Sequence, residues 1–257
     1  MRKIKILLEY EGTRYHGWQF QPNKVSIQGI LEAKLSKITR QKIRVIGSGR
    51  TDSGVHAESQ VAHFRTSSIM TPMEFLKALN SLLPADIVVK KVEEADPDFH
   101  AQKSASHKIY RYTILNRDYP SALLCRQAHY IATPTLNVNA MRRAARFMVG
   151  IKDFKAFQAS GCSSKTTVRK ISRVSISKKD DFIQITVEGS GFLKYMVRNM
   201  VGTLIEVGMG KWPPEQVDAL LKSKNRRLAG PTAPARGLCL VKVFYGKKSS
   251  GKRAKRG

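Results

Sequence analysis

The sequence predicts an α+β fold built from two α/β halves. Three observations carry that reading. The chain opens on alternating apolar residues, Ile4, Ile6 and Leu8, against charged neighbours. Helical spacing appears at Ile27, Ile30, Leu31, Leu35 and Ile38, and again along Leu193–Ile205. The order of strands and helices then starts afresh after a junction near residues 96–106, which fits two halves better than the regular alternation of a barrel. No sequence repeat links the halves, so the element order alone argues for them.

In the first half, residues 2–9 read as a strand, followed by a polar and aromatic loop from Glu11 to Lys24. Ser26 is placed to cap a helix from Ile27. Ile43–Ile46 predicts a short strand stopped by the Gly47-Ser48-Gly49 turn, and Gln60–Phe64 a second. Thr71-Pro72 opens a helix to about Leu83, because proline suits a first helical turn. Ile87–Val92 completes the unit. In the second half, His107–Leu115 predicts a strand, Val138–Val149 a helix after a Thr-Pro turn, and Ile171–Ser177 and Phe182–Val187 two more strands. Phe192–Val207 reads as the longest helix, with Leu193, Met196, Val197, Met200, Val201, Leu204 and Ile205 on one face. Pro213-Pro214 starts a shorter helix to about Leu221, and Leu238–Phe244 is a final strand.

Composition narrows the function. The 257 residues are 42% apolar, enough for a sizeable core, and 46 Lys plus Arg face 19 Asp plus Glu. A formal charge of +27 points to nucleic acid as the partner. The last 12 residues, Gly246–Gly257, hold six Lys or Arg and no acid and read as a flexible basic tail, yet the body alone keeps +21. No apolar run reaches the roughly 18 residues a bilayer span needs, and the first residues lack the features of a secretory signal. A cytoplasmic protein with no membrane attachment is therefore expected. Cys125, Cys162 and Cys239 are far apart, and the six histidines contain no His-Glu-x-x-His pattern, so neither disulfides nor a metal site are expected.

The densest polar segment is Gly47-Ser48-Gly49-Arg50-Thr51-Asp52-Ser53-Gly54-Val55-His56-Ala57. Its glycines permit a tight path, and Arg50, Thr51, Asp52 and His56 supply chemical groups. It lacks the Gly-Lys-Ser/Thr element of a phosphate-binding loop and the glycine spacing of a dinucleotide turn. By itself it reads more readily as a structural polar turn than as a reactive one.

This segment resembles the active-site motif of the tRNA pseudouridine synthase A family, with serine at 48 and 53 where the usual motif has alanine. Further matching stretches follow in order: Tyr15-His16-Gly17-Trp18-Gln19, Ser26-Ile27-Gln28-Gly29, Lys108-Ile109-Tyr110-Arg111-Tyr112, the run from Gly191 to Gly202, and Ala233-Pro234-Ala235-Arg236-Gly237-Leu238. The resemblance covers about residues 1–245. It implies two ferredoxin-like halves, 1–103 and 104–245, whose antiparallel sheets meet around a central cleft in a pseudouridine synthase fold. It also implies a homodimer that isomerises uridines of the tRNA anticodon arm, expected at positions thirty-eight to forty.

The resemblance gives Asp52 the role of nucleophile, and a carboxylate suits it because the anion is available at neutral pH. Uracil must leave the sugar, turn and reattach through carbon 5. Substrate and product have the same atoms, so the balance requires no cofactor and no metal. Attack at sugar carbon 1, loss of the carbon-2 proton to give a glycal, and attack at uracil carbon 6 all stay open. Tyr110, by its pattern a sheet residue, is implied to stack on the flipped uracil. Arg198, on the edge of a helix, is implied to pair with Asp52 and keep it ionised. Arg50 is expected at RNA, Leu238 at the wall of the uracil pocket, and His56 as support for the loop. Arg142, Arg143 and Arg146 add a basic helical stretch suited to phosphates. Two other classes compete: a non-catalytic RNA-binding or RNA-folding protein, which would not need Asp52, and a metal-dependent nuclease, for which no ligand cluster accompanies Asp52.

Overall fold

The computed structural model describes residues 1–162 and 164–246; the basic tail, beyond Gly246, lies outside them. The described chain forms ten strands and five α-helices. The strands are β1 (Arg2–Tyr10), β2 (Ile46–Gly47), β3 (His56–Thr66), β4 (Ile87–Glu94), β5 (Ala105–Asn116), β6 (His129–Ile131), β7 (Gly150–Asp153), β8 (Val168–Lys179), β9 (Phe182–Gly189) and β10 (Leu238–Tyr245). The helices are α1 (Ile27–Thr39), α2 (Pro72–Leu82), α3 (Val138–Arg146), α4 (Met196–Gly208) and α5 (Gln216–Ser223). The mixed α+β class is as the sequence predicts.

All ten strands join one sheet, with eight in the order β4-β1-β3-β10-β5-β9-β8-β7 and with β2 beside β3 and β6 beside β5. Pairing is antiparallel except at β10–β3 and β5–β6. The β10–β3 junction is brief: Cys239 faces His56 and Leu240 faces Ala57. Further along the same strand β2 pairs instead, with Ile46 opposite His63 and Gly47 opposite Ala62. The loop that leaves β2 and carries Asp52 therefore runs beside the seam where the first-half strands meet β10 and β5.

Alternation explains the layering. Ile4, Ile6, Leu8 and Tyr10 are all buried and leave β1 on one face. The same period buries Tyr110, Tyr112 and Ile114 on β5 and Ile183, Ile185 and Val187 on β9. Those faces join the buried sides of the helices, including Leu31 and Leu35 of α1, Phe75 and Leu79 of α2 and Met200 and Leu204 of α4, in one hydrophobic core. Ser26 caps α1 by accepting from the Gly29 amide at 3.3 Å. Thr71 and Glu74 cap α2 reciprocally, and Pro72 supplies its first residue.

Several boundaries move for physical reasons. The longest predicted helix begins at Met196 instead of Phe192, because Tyr195 takes a left-handed backbone (φ 61°) that no helix continues through. The Ile43–Ile46 strand shrinks to Ile46–Gly47, so Gly47 belongs to the strand it was expected to stop. The α3 segment ends at Arg146, three residues early, and Gly150 (φ 113°) turns the chain into β7. The Pro213-Pro214 pair makes a turn ahead of α5, which starts at Gln216. The short strands β6 and β7 carry too few alternating residues to show in the sequence.

Candidate active site

The loop from Ser48 to Val55 is held by bonds from several directions. The Ser48 amide donates to the Val61 carbonyl at 2.7 Å, and the Ser48 hydroxyl to Gln60 Oε1 at 2.6 Å. Gln60 Nε2 donates to the Gly49 carbonyl at 3.0 Å, and the Tyr10 hydroxyl and Thr51 Oγ1 are 2.9 Å apart. The Trp18 amide donates to the Thr51 carbonyl at 3.0 Å, and the Ser53 hydroxyl to the Tyr15 carbonyl at 3.1 Å. The Tyr15–Gln19 stretch thus fastens the loop from outside. Gly17 makes that possible: its φ is 82°, and a Cβ there would sit 2.5 Å from the Thr51 carbonyl oxygen. Gln28 of α1 holds the other end of the stretch, accepting from the Phe20 amide at 2.9 Å and donating to the Val45 carbonyl at 3.1 Å.

Asp52 faces Arg198 across the seam, Oδ2 to Nη1 at 3.5 Å. The first turn of α4 supplies the arginine. Its Nε donates to the Ala233 carbonyl at 2.7 Å, and its guanidinium lies over the Tyr195 ring at 4.7 Å. Arg198 is thus tied down on three sides; its side chain is 14% exposed, which is no snorkelling surface arginine. Burial pushes the Asp52 carboxyl above its ordinary value, while Arg198 and, at longer range, Lys194 pull it back. The two effects oppose each other, and burial is the larger.

Asp52 lines a cavity of about 880 Å³ together with Arg50, Tyr110, Arg198 and Leu238. Seven Lys or Arg share its lining, and Asp52 is the single carboxylate among them. Tyr110 is buried and meets Phe192 edge-to-face at 5.1 Å. Burial, with Tyr10 and Asp52 adding to it, drives the Tyr110 hydroxyl far above the usual tyrosine range, so it stays protonated. Leu238 is buried at the start of β10, opposite Tyr112 of β5. Arg50 is exposed on the turn before Asp52.

His56 is not part of the cavity lining. Its Nδ1 accepts from the Gly12 amide at 2.9 Å, which leaves Nε2–H to donate to the Arg236 carbonyl at 3.1 Å. The ring therefore ties the end of the Asp52 loop to the 233–238 segment, and Glu11 lies 3.3 Å from Nδ1.

Lys108, Phe192 and Lys194 also line the cavity, although their motifs did not single them out in the sequence. For Lys108 a signal existed: it stands two residues before Tyr110 on a strand, so the two share a face. For Phe192 and Lys194 it did not, because they lie on the loop that was expected to be helix. Among the described residues no group of three or more His, Cys, Asp or Glu is arranged to hold a metal, and no helix is long and apolar enough to cross a membrane.

Known proteins match this chain over most of its length. Curated relatives include the tRNA pseudouridine synthase A of Acetivibrio thermocellus and that of Geobacter sulfurreducens, each 46% identical over 245 residues, 95% of this chain and 100% of the relative. That of Thermoanaerobacter pseudethanolicus is 45% identical over the same share of each. A solved Cbf5-Nop10-Gar1 complex is similar over 78% of this chain and 54% of its own, at 13% identity and a TM-score of 0.33, too distant to bear on the site. The family profile described as tRNA pseudouridine synthase matches residues 6–102 and 144–246, the two stretches that bring Asp52 and Arg198 face to face, and the chain belongs to that family.

Proposed function

We propose that this protein isomerises uridine to pseudouridine in the anticodon arm of tRNA, at positions thirty-eight to forty, with Asp52 as the nucleophile. One observation carries the reading. A single carboxylate, paired with a tethered arginine, is set in a cavity whose other charged groups are Lys and Arg side chains and whose lining includes a buried tyrosine. Cations draw the polyanionic RNA in, and the lone anion is left to react.

The cavity suits a flipped nucleotide. Tyr110 offers a flat face to the detached base, and its protonated hydroxyl can donate a hydrogen bond to it. Leu238 walls the same space. Arg198 fixes the Asp52 carboxylate toward the sugar and base and favours its ionised form. Three routes share this geometry: addition at sugar carbon 1, proton loss from carbon 2, and addition at uracil carbon 6. In each the carboxylate acts on a nucleotide whose base stays in the cavity, turns, and rejoins through carbon 5, with the carbon-5 proton released.

The substrate class is supported by the family and the charge. We read residues 1–103 as the half that carries the Asp52 loop and 104–245 as the half that completes the uracil pocket. The working form is proposed to be a cytoplasmic homodimer that places one tRNA across both subunits.

The test uses anticodon-arm RNA tritiated at uracil carbon 5, with EDTA present throughout. Wild type should release tritium and form pseudouridine at mapped positions, while folded Asp52→Ala should bind the RNA and release none. Binding without product by wild type, across natural tRNAs, would instead mark a non-catalytic RNA-binding protein.

A further inference from the structure

Lys108 and Tyr110 leave β5 on the same face, and both line the cavity that holds Asp52. Lys108 is flanked by Gly189 of β9 and Val243 of β10. Gly189 puts no side chain beside it, so the lysine reaches inward toward the turn that leads to Asp52. There its ammonium lies against Gly49: a Cβ at that position would sit 3.0 Å from Nζ and 3.6 Å from Cε.

What separates Lys108 from the other cations of the cavity is that it is drawn away from water without an acceptor, whereas Lys24, Arg44 and Arg50 are exposed. Arg198 is held by Asp52 and the Ala233 carbonyl, Lys194 Nζ donates to the Ser160 carbonyl at 3.2 Å, and Arg169 donates to the Thr166 and Val168 carbonyls. Among the described residues the Lys108 ammonium has no hydrogen-bond or ion-pair partner, and burial alone holds its pKa below the usual lysine value. A cation partly withdrawn from water with nothing to receive its protons destabilises the fold. A bound anion removes that cost, and RNA carries one kind of anion, its phosphates.

Two neighbours favour a phosphate over a uracil carbonyl. Arg50, one residue beyond Gly49, lines the same cavity, so two cations bracket the turn before the nucleophile. Side chains two apart on a strand are separated by roughly 6.6 Å along it, about the span between a nucleotide's base and its own phosphate. With the base on Tyr110, its phosphate falls to Lys108.

We propose that Lys108, with Arg50, binds the phosphate flanking the target uridine and so holds the nucleotide by its backbone while the uracil is detached beside Asp52. The inference rests on the isomerase reading and adds a positioning residue to it. Its physical point is that base and sugar separate during the reaction, so the sugar needs an anchor that does not run through the base.

The experiment replaces each of the two phosphates flanking the target uridine, one at a time, with a neutral methylphosphonate. Wild type, Lys108→Gln and Lys108→Arg are compared by RNA binding across a salt series and by single-turnover tritium release. One of the neutral linkages should weaken wild-type binding about tenfold. Lys108→Gln should lose part of that factor on ordinary RNA and then respond less than wild type to that linkage, because Arg50 still faces the same phosphate. Its salt slope should fall by about 0.7–0.9, the signature of one phosphate contact. Lys108→Arg should keep the sensitivity. Thermal melting of Lys108→Gln should match or exceed wild type, which separates a binding role from a folding role. A wild type indifferent to both neutral linkages overturns the proposal, and so do losses that multiply when the glutamine and the neutral linkage are combined. If wild type makes no pseudouridine, the isomerase reading fails, while the binding measurements still decide the role of Lys108.

Discussion

At the scale of single residues the decisive quantity is the charge on Asp52. Burial raises its pKa and Arg198 lowers it, so removing the arginine leaves burial unopposed. The proposed reaction needs the anion. The rate therefore falls as pH drops through the Asp52 pKa, and that acidic limb lies above the usual carboxylate value of about 3.9. In Arg198→Met it should move to higher pH, whereas a loss through misfolding would lower the rate equally at every pH. A single-turnover pH profile distinguishes the two. Tyr110 makes the converse prediction. Its hydroxyl stays protonated far past the usual tyrosine range, so an alkaline limb in the profile cannot belong to it. Tyr110→Phe should keep any such limb in place and keep RNA binding, while Tyr110→Ala should lose rate further because the stacking face is gone. These residues were legible in the sequence through the resemblance of their motifs. Chemistry alone left Asp52 as one acid in a polar turn and Tyr110 as a strand residue, because neither the cavity nor the Asp52–Arg198 approach has any local signature.

At the scale of elements, the site depends on segments that carry no reacting group. The Tyr15–Gln19 stretch reaches the Asp52 loop only because Gly17 is left-handed and has no side chain. Gly17→Ala should cost about 1–3 kcal/mol in strain, read by urea unfolding. If the proposed nucleophile Asp52 is displaced by about 1 Å as a result, kcat/KM should also fall by on the order of a hundredfold. Helix α4 makes a parallel case. A Cβ at Gly202 would fall on the Pro231 carbonyl, so the glycine lets the 229–233 segment lie against the helix and carry the Ala233 carbonyl to Arg198. Asn199, the next residue on α4, is fully buried and bonded to Phe157, Arg226 and Thr232, which fixes the helix in rotation. Periodicity and caps made α1, α2 and the long strands readable, since those signals are local. The true start of α4 was not readable: the apolar spacing continues back through Leu193, and only tertiary packing places Tyr195 in the left-handed region that ends the helix. The strands β6 and β7 were hidden for a similar reason, as they exist by pairing with β5 and β8.

At the scale of the whole molecule, one sheet takes in all ten strands, and its contacts with the segment before β5 and the segment before β10 are sealed by neutral histidines. His63 of β3 packs against Phe99 and His100, with ring centroids 5.9 and 5.1 Å away, and its Nδ1 accepts from the Ala101 amide at 3.2 Å, fastening the segment before β5 to the sheet. Burial, with His100, Lys3 and Arg65 adding to it, pushes its pKa down to about 4. His129 of β6 lies 3.1 Å from the Tyr112 hydroxyl, which itself donates to the Pro234 carbonyl. Burial, with Arg236 adding to it, lowers its pKa to about 4 as well. For both, the unfolded chain binds its proton near pH 6.5 and the folded chain only near 4. Between those values the unfolded state holds more protons, so stability rises with pH across the window and is lost as pH falls through it. Thermal melting followed from pH 7.5 to 4 should show Tm constant above about pH 6.5 and declining below it. Acidification also adds positive charge to a chain that already carries +27, which deepens the decline. The general repulsion weakens as salt rises, whereas the histidine contribution, set by burial, is screened much less. Repeating the series at high salt should therefore leave a residual slope between pH 6.5 and 4, and His63→Gln should flatten part of it. A Tm profile that becomes level in high salt would assign acid sensitivity to the net charge alone and remove these histidines from the account of what holds the sheet to its neighbouring segments.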